Sequence, residues 1–363
     1  MEIYVFDKNL NFIDTIDQYT SLQWIRRYHT AGSFELHCPI TSHNISTLAR
    51  NNLIWKQDSN EVGIIEYRRL YTDENGKEII TVVGRMLTSI LDRRILYTTE
   101  QHINKNIEII MRNMVDRNCI STSAKRKLPV LLGELKGYTE RTDYQKSYGN
   151  LLEELTALSQ TSDIGFFIRT DLEQKKHYFE TYKGIDRSIA QSTNSQVVFS
   201  RDYDNLFNQE YTDDVNNLRT TALVAGEGEG AERKRTVVND EYTGLDRYEL
   251  YVDARDIQQT VDDVTMPDSE YLNLLRQRGR EKLAEYKDIQ TFEGNIITNN
   301  YEYKKDFDLG DVVTVMDRRW NIAVNARITE VNEIYENGKV EIVPTLGNNI
   351  PTILDKIKRT VIR

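Results

Sequence analysis

The stretch from Asp306 to Asn348 constrains this chain most, because it carries three strand patterns, a turn, and no chemistry. DVVTV is a short β-branched run, NIAVNARITEVNEIY a longer one, and KVEIVPTL the third. Asn337-Gly338 separates the last two. Asn-Gly is a strong hairpin signal, since both residues tolerate a positive φ. A segment this well specified, with no nucleophile or ligand cluster in it, points to architectural work.

Upstream, the pattern is again β. Ile3–Phe6, Phe12–Ile16, Leu22–Tyr28, Ser33–Cys38, Leu53–Lys56, Val62–Leu70 and Ile79–Val83 read as short strands, with Asp73-Glu74-Asn75-Gly76 as the last hairpin loop. That spacing suggests a small barrel or sandwich over residues 1–95. The period then changes. Ile103, Ile107, Ile110, Met111, Met114 and Val115 fall on one helical face, as do Leu151, Leu152, Leu155 and Leu158, with Gly165 past the second helix. Strands at Gly165–Arg169, His177–Thr181 and Val197–Ser200 complete an α/β domain over 96–200, in which 121–145 reads as loop. Strand patterns return over 201–346, at Asn205–Tyr211, Thr220–Ala225, Thr236–Val238 and Tyr248–Val252. The run AGEGEGAERKR reads as a mobile loop, and a helix is expected over 268–287 with Leu272, Leu275, Gly279, Leu283 and Tyr286 on one face. Residues 347–363 form a C-terminal tail. The expected class is α+β, mainly β: two β-barrel-like domains with an α/β insert between them.

Composition narrows the function. At 363 residues the chain can hold two or three domains with sizeable cores. A formal charge of -10 and a pI of about 5.2 argue against gripping nucleic-acid phosphates, so DNA is expected only as passing cargo. Cys38 and Cys119 match no metal spacing and are too few for a disulfide framework. The N-terminus has no basic region followed by an apolar run, and no stretch reaches the ~18 apolar residues of a membrane span. A soluble chain made in the cytoplasm is the expectation. Twenty-one tyrosines suit β structure and large, partly wet interfaces.

No constellation gathers catalytic groups. GEGEG at 226–230 lacks the Lys-Ser/Thr of a phosphate loop, and its glutamates would repel phosphate. No two of the five histidines have the i, i+4 spacing of a zinc helix, although His29 and His37 flank a turn and could approach each other. Asp202, Asp204, Asp213 and Asp214 are the densest carboxylates in a β context, more simply a solvated face than an acid/base pair. No cofactor or metal is expected, and no enzymatic activity.

Particular blocks resemble a known family. Trp24-Ile25-Arg26-Arg27-Tyr28 followed by Ala31-Gly32-Ser33-Phe34-Glu35-Leu36 resembles the opening of the Gp37-like hub proteins of siphophages and related phage-like particles. Gly84-Arg85-Met86-Leu87 through Leu91-Asp92-Arg93-Arg94-Ile95 resembles the end of their first barrel. Gly184-Ile185-Asp186-Arg187-Ser188, Val198-Phe199-Ser200 and Asn205-Leu206 are similar to the entry to the second. Gly244 through Glu249, Val252 through Asp256, Leu309-Gly310-Asp311-Val312-Val313 and Ala326-Arg327-Ile328 complete the set, in order along nearly the whole chain.

The resemblance extends to the baseplate hub of contractile coliphages and to hubs of tailocins and contractile injection systems. It implies a homotrimer in which each subunit gives two barrel-like domains to a ring, a symmetry adaptor joining the sixfold tail tube to a threefold spike. The implied partners are the tail tube or distal tail protein, the spike and other baseplate proteins, at the tail tip of a virion or particle assembled in the bacterial cytoplasm. Arg85, Arg93, Arg187, Arg247 and Arg327 recur beside acidic or aromatic neighbours and are candidates to bridge strands or subunits. Ile357 and Val361 of the apolar and basic tail are candidates to contact a neighbouring protein. The rival readings are a carboxylate-dependent cell-wall hydrolase and a tip protein that binds host glycans.

Overall fold

The computed structural model describes residues 1–261, 263–296, 301–336 and 338–347, with the side chain of 231 left aside. The fold is mainly β, with antiparallel pairing predominant. The chain divides into two compact units. The first comprises Met1–Leu22, His29–Lys183 and Leu218–Lys287, and the second Gln23–Tyr28, Gly184–Asn217 and the chain from Asp288.

In the first unit, an N-terminal sheet runs in the order Ser33–Pro39, Glu78–Met86, Val62–Thr72, Leu53–Lys56, Ile3–Phe6, Phe12–Ile16. The Phe34 ring lies across two glycines of this sheet. A Cβ on Gly63 would come within 2.4 Å of it and one on Gly84 within 2.8 Å, so the ring packs where any side chain would collide. One core continues from this sheet, through Leu53, Val62 and Ile64, into the middle of the unit. There Leu87 and Leu91 meet helices Ile107–Val115 and Leu151–Ser162 and the pair Gly165–Asp171 and Lys176–Tyr182.

Two expectations fail in this region. Ile103 is not helical: Glu100–Asn106 is a strand paired with Arg141–Lys146, and the helix begins only after Asn106, whose Oδ1 accepts from the Ile109 N–H at 3.0 Å. The 121–145 stretch contains that partner strand and the short strand Leu131–Leu132. Its middle is pinned by the buried Glu108 carboxylate, which accepts from the N–H groups of Lys136, Gly137 and Tyr138 and from the Thr181 hydroxyl. The second helix ends at Asp163, itself left-handed at φ 61°, and Gly165 lies past its end and opens the next strand, as expected.

Leu218–Lys287 is an inserted module within the first unit's fold. Its strands Arg235–Val238, Thr221–Ala225 and Glu249–Asp253 make a three-stranded sheet in that order, covered on one face by helix Asp268–Ala284. The expected mobile loop before Arg235 is instead tied down. Arg233 donates to the carbonyls of Ala225 and Gly226 and pairs with Asp253 at 2.8 Å.

In the second unit, Val198–Ser200 runs parallel to Val312–Asp317. That strand pairs with the first half of the 15-residue strand Ile322–Glu336, whose second half pairs with Lys339–Gly347. Ile289–Ile296 and Leu206–Asp214 follow in the ladder. The C-terminal hairpin expected from sequence is present: Glu336 pairs with Lys339 and Gly338 has φ 73°, while Asn337 lies outside the described residues. The first and last strands of this sheet approach through side chains. Asn205, just before Leu206–Asp214, accepts from the Ser200 N–H and donates to the Val198 carbonyl of the first strand, and Gln209 of the last strand donates at 2.9 Å to Asp317 of the strand beside the first. Among the described residues no strand ladder joins those two ends.

Candidate interaction surfaces

Four of the blocks quoted above, Trp24–Tyr28, Gly184–Ser188, Leu309–Val313 and Ala326–Ile328, meet in the second unit. Gly184 lies against Gly310, where a Cβ on Gly184 would sit 1.8 Å from the Gly310 carbonyl oxygen. Gly310 has φ 94°, and a Cβ there would meet the Tyr28 ring at 2.5 Å. The contact therefore needs glycine on both sides. Beside it, the buried Asp311 carboxylate accepts from the Ile185 N–H at 2.7 Å, from Arg187 Nε at 2.9 Å and from the Asp308 N–H at 3.0 Å. Arg327 donates to the Gly310 carbonyl, and its guanidinium lies 5.1 Å from the centre of the Tyr28 ring. Arg26 bonds Asp308 at 2.7 Å and the Tyr303 hydroxyl at 2.8 Å. Burial pushes the Tyr303 phenol up. Arg187 and Arg327 thus serve one polar knot.

The other arginines lie in two further places. Arg85 grips Glu66 with two hydrogen bonds, at 2.9 and 3.0 Å, and reaches Asp92 at 3.0 Å, while Arg93 stands 3.9 Å from Glu66. Arg247 bonds Glu249 at 2.7 Å, Asp240 at 3.1 Å and the Tyr242 carbonyl at 3.0 Å. Ile357 and Val361 lie outside the described residues.

The titratable groups stay dispersed. Asp202 is 3.5 Å from Arg318, and Asp214 caps the Asn216 N–H. His29 bonds Ser159 at 2.8 Å, whereas His37 bonds Glu35 at 2.6 Å and Thr81 at 3.1 Å, so the two rings serve different neighbours. His177 is buried, and that burial pushes its pKa down to about 4. Both cysteines are free and buried, and burial pushes each thiol up to about 12. Among the described residues, no group of three or more His, Cys, Asp or Glu could hold a metal ion.

Sequence reasoning missed a second polar cluster, between the inserted module and the middle of the first unit. Arg278 donates to the Gln145 carbonyl at 2.8 Å and pairs with Asp256 at 3.0 Å. Gln145 and Gln258 exchange hydrogen bonds at 2.9 and 3.3 Å. Glu281 is buried 3.6 Å from Arg278, and its pKa is pushed up to about 7 by burial; Arg278 opposes the rise and Glu154 adds to it. The available signal was Arg278 and Glu281 sharing a helix with the buried Leu274 and Leu275.

The sequence profile of the family described as Siphovirus ReqiPepy6 Gp37-like protein matches residues 2–348. Three solved structures share the fold. The 43 kDa tail protein of prophage MuSo2 from Shewanella oneidensis is 13% identical, with a TM-score of 0.55 over 95% of this chain and 98% of that one. The tail protein from Neisseria meningitidis MC58 is also 13% identical, at 0.55 over 95% of each chain. Prophage tail protein gp18 from Listeria monocytogenes EGD-e is 12% identical, at 0.53 over 99% and 98%. No curated protein matches in sequence.

Proposed function

The chain belongs to the siphovirus Gp37-like family, and on that premise we propose that it is the hub of a phage tail tip or of a phage-derived injection particle. The observation carrying this reading is end-to-end agreement: the family profile spans residues 2–348, and prophage tail proteins share the fold over nearly their whole lengths. In this reading three copies form a ring. The N-terminal sheet and the sheet of the second unit are its two barrel-like bodies, so the ring presents six similar elements to the tube and three identical faces to the spike.

The work is geometric, and no catalytic group takes part. Rigidity is the requirement, and the Gly184–Gly310 contact with its Asp311–Arg187 pair supplies it locally. An acidic chain lets DNA pass without gripping it. Solution mass measurement, alone and with tube and spike proteins added, tests the reading. A trimer supports it, and a chain that stays monomeric with both partners present overturns it.

A further inference from the structure

The first unit of this acidic chain carries a cationic ridge built from two segments. Arg94 donates from Nε to the Arg126 carbonyl at 2.7 Å and from a terminal nitrogen to the Arg93 carbonyl at 2.8 Å. Arg126 donates to the Ile95 carbonyl at 2.8 Å, and its guanidinium lies 4.4 Å from the centre of the Tyr97 ring. The N–H groups of Arg126 and Lys127 close their own turn on the Ser123 carbonyl. Arg93, Arg94, Lys125, Arg126 and Lys127 are thereby gathered, and the two guanidiniums that staple the segments satisfy carbonyls, not carboxylates. Among the described residues only Arg93 of the five pairs with an acid, Glu66 at 3.9 Å, which Arg85 holds more closely. Apolar surface adjoins the ridge: Ile95, Tyr97 and Tyr148 are exposed, and the Tyr148 N–H donates to the Leu96 carbonyl.

The inserted module of the same unit carries the opposite surface. Its helix covers one face of its sheet, while on the other Leu223 stands in register with Val237 and Tyr251, all three exposed. The loop joining the flanking strands adds Leu245, with 94% of its surface in solvent. This loop is held, not loose. Besides the Arg247 bonds already described, Gly244 is left-handed at φ 58° and Thr220 donates to the Asp246 carbonyl at 2.9 Å. Arg247 engages Asp240 and Glu249, so Glu241 and Asp246 stand exposed with no cation paired to them among the described residues.

We propose that the Leu245 loop of one copy docks on the Arg94–Arg126 ridge of the next. Its apolar tip lies against Ile95, Tyr97 and Tyr148, and its unpaired carboxylates face Lys125 and Lys127. Charge selects a second copy as the occupant. A free polyanion is repelled by a chain of net charge -10, whereas another copy brings its carboxylates on a clamped apolar loop with little ordering left for binding to cost. Because the two patches differ, the contact runs head to tail from copy to copy, as a closed ring requires. It rests on the ring of three copies proposed above and assigns one of its seams.

Two charge-reversed proteins, Glu241→Lys with Asp246→Lys and Lys125→Glu with Lys127→Glu, should each weaken trimer formation by about tenfold or more, measured by solution mass with tube and spike proteins added. The chain carrying all four changes should recover it, which a merely damaged fold would not do. All four side chains are exposed, so reversal leaves the fold intact. With p-benzoylphenylalanine at position 245, irradiation of the trimer should give adducts between copies within residues 93–97, at 123–127 or at 148. Native trimers that neither reversal weakens, no recovery in the fourfold variant, or adducts only elsewhere overturn the contact and leave the hub reading standing. A native chain that stays monomeric with both partners present overturns both.

Discussion

Replacing Glu281 by Gln should make the protein more stable at pH 8 and leave it nearly unchanged at pH 5. Glu281 is buried on the helix that docks the inserted module, and its pKa of about 7 stands above the ordinary 4.5. Arg278 does not cancel the burial cost. Asp256, at 3.0 Å, holds that guanidinium charged despite its own burial, and Glu281 is farther away at 3.6 Å. Glu154, already bonded by Lys146 and Tyr144, adds repulsion.

The native state therefore keeps a proton on Glu281 between pH 4.5 and about 7, where the unfolded chain has lost it. The stability this confers is complete below pH 4.5, falls as pH rises through 7, and is gone above. At about 1.4 kcal/mol per pKa unit, the loss is on the order of 3 kcal/mol. Gln carries no charge at any pH and can still accept from Gln277, which now bonds Glu281 at 3.3 Å. Thermal melting of the two proteins at pH 5 and pH 8 measures the difference, with an expected gain for Glu281→Gln of roughly 5 °C at pH 8. An equal gain at both pH values would assign the effect to packing. A loss at pH 8 would mean that the ion pair outweighs burial. Either result refutes the reasoning.

Three further outcomes follow from the same geometry. Gly184→Ala should cost about 3 kcal/mol or more, because its methyl group enters the Gly310 carbonyl, whereas Gly76→Ala, with open space around it, should cost only about 1 for its positive φ; melting of both variants compares them. Arg187→Ala should cost roughly 2–4 kcal/mol by leaving the buried Asp311 without its guanidinium partner, and the double variant with Asp311→Asn should recover part of that loss in denaturant titrations. Native Cys38 and Cys119 should resist a thiol reagent at pH 8, reacting only as the chain unfolds; stoichiometric labelling of the folded protein would contradict their burial.

What could be read from the sequence was whatever depends on neighbours along the chain. The hairpin around Gly338 and the loop at Gly76 were legible because turn chemistry and a two-residue alternation are local. Strand Ile289–Ile296 was overlooked because its inward positions are not uniformly apolar. Thr291 is buried in it, and Gly294 is kept bare by Leu206, whose side chain would lie 2.7 Å from a Cβ there. Ile103 misled for the opposite reason: its four-residue spacing from Ile107 is helical, but the intervening Asn106 caps the helix and excludes it. The polar clusters were only half legible. Leu309-Gly310-Asp311 marks a special turn in the sequence, yet the partner that makes Asp311 necessary, Arg187, is 124 positions away, and Gln145 lies 133 from Arg278. Separations of that size are set by which strands pair, so composition and period cannot supply them. The family resemblance named Gly184–Ser188 and Leu309–Val313 as separate blocks without pairing them; only the fold brings the two into contact.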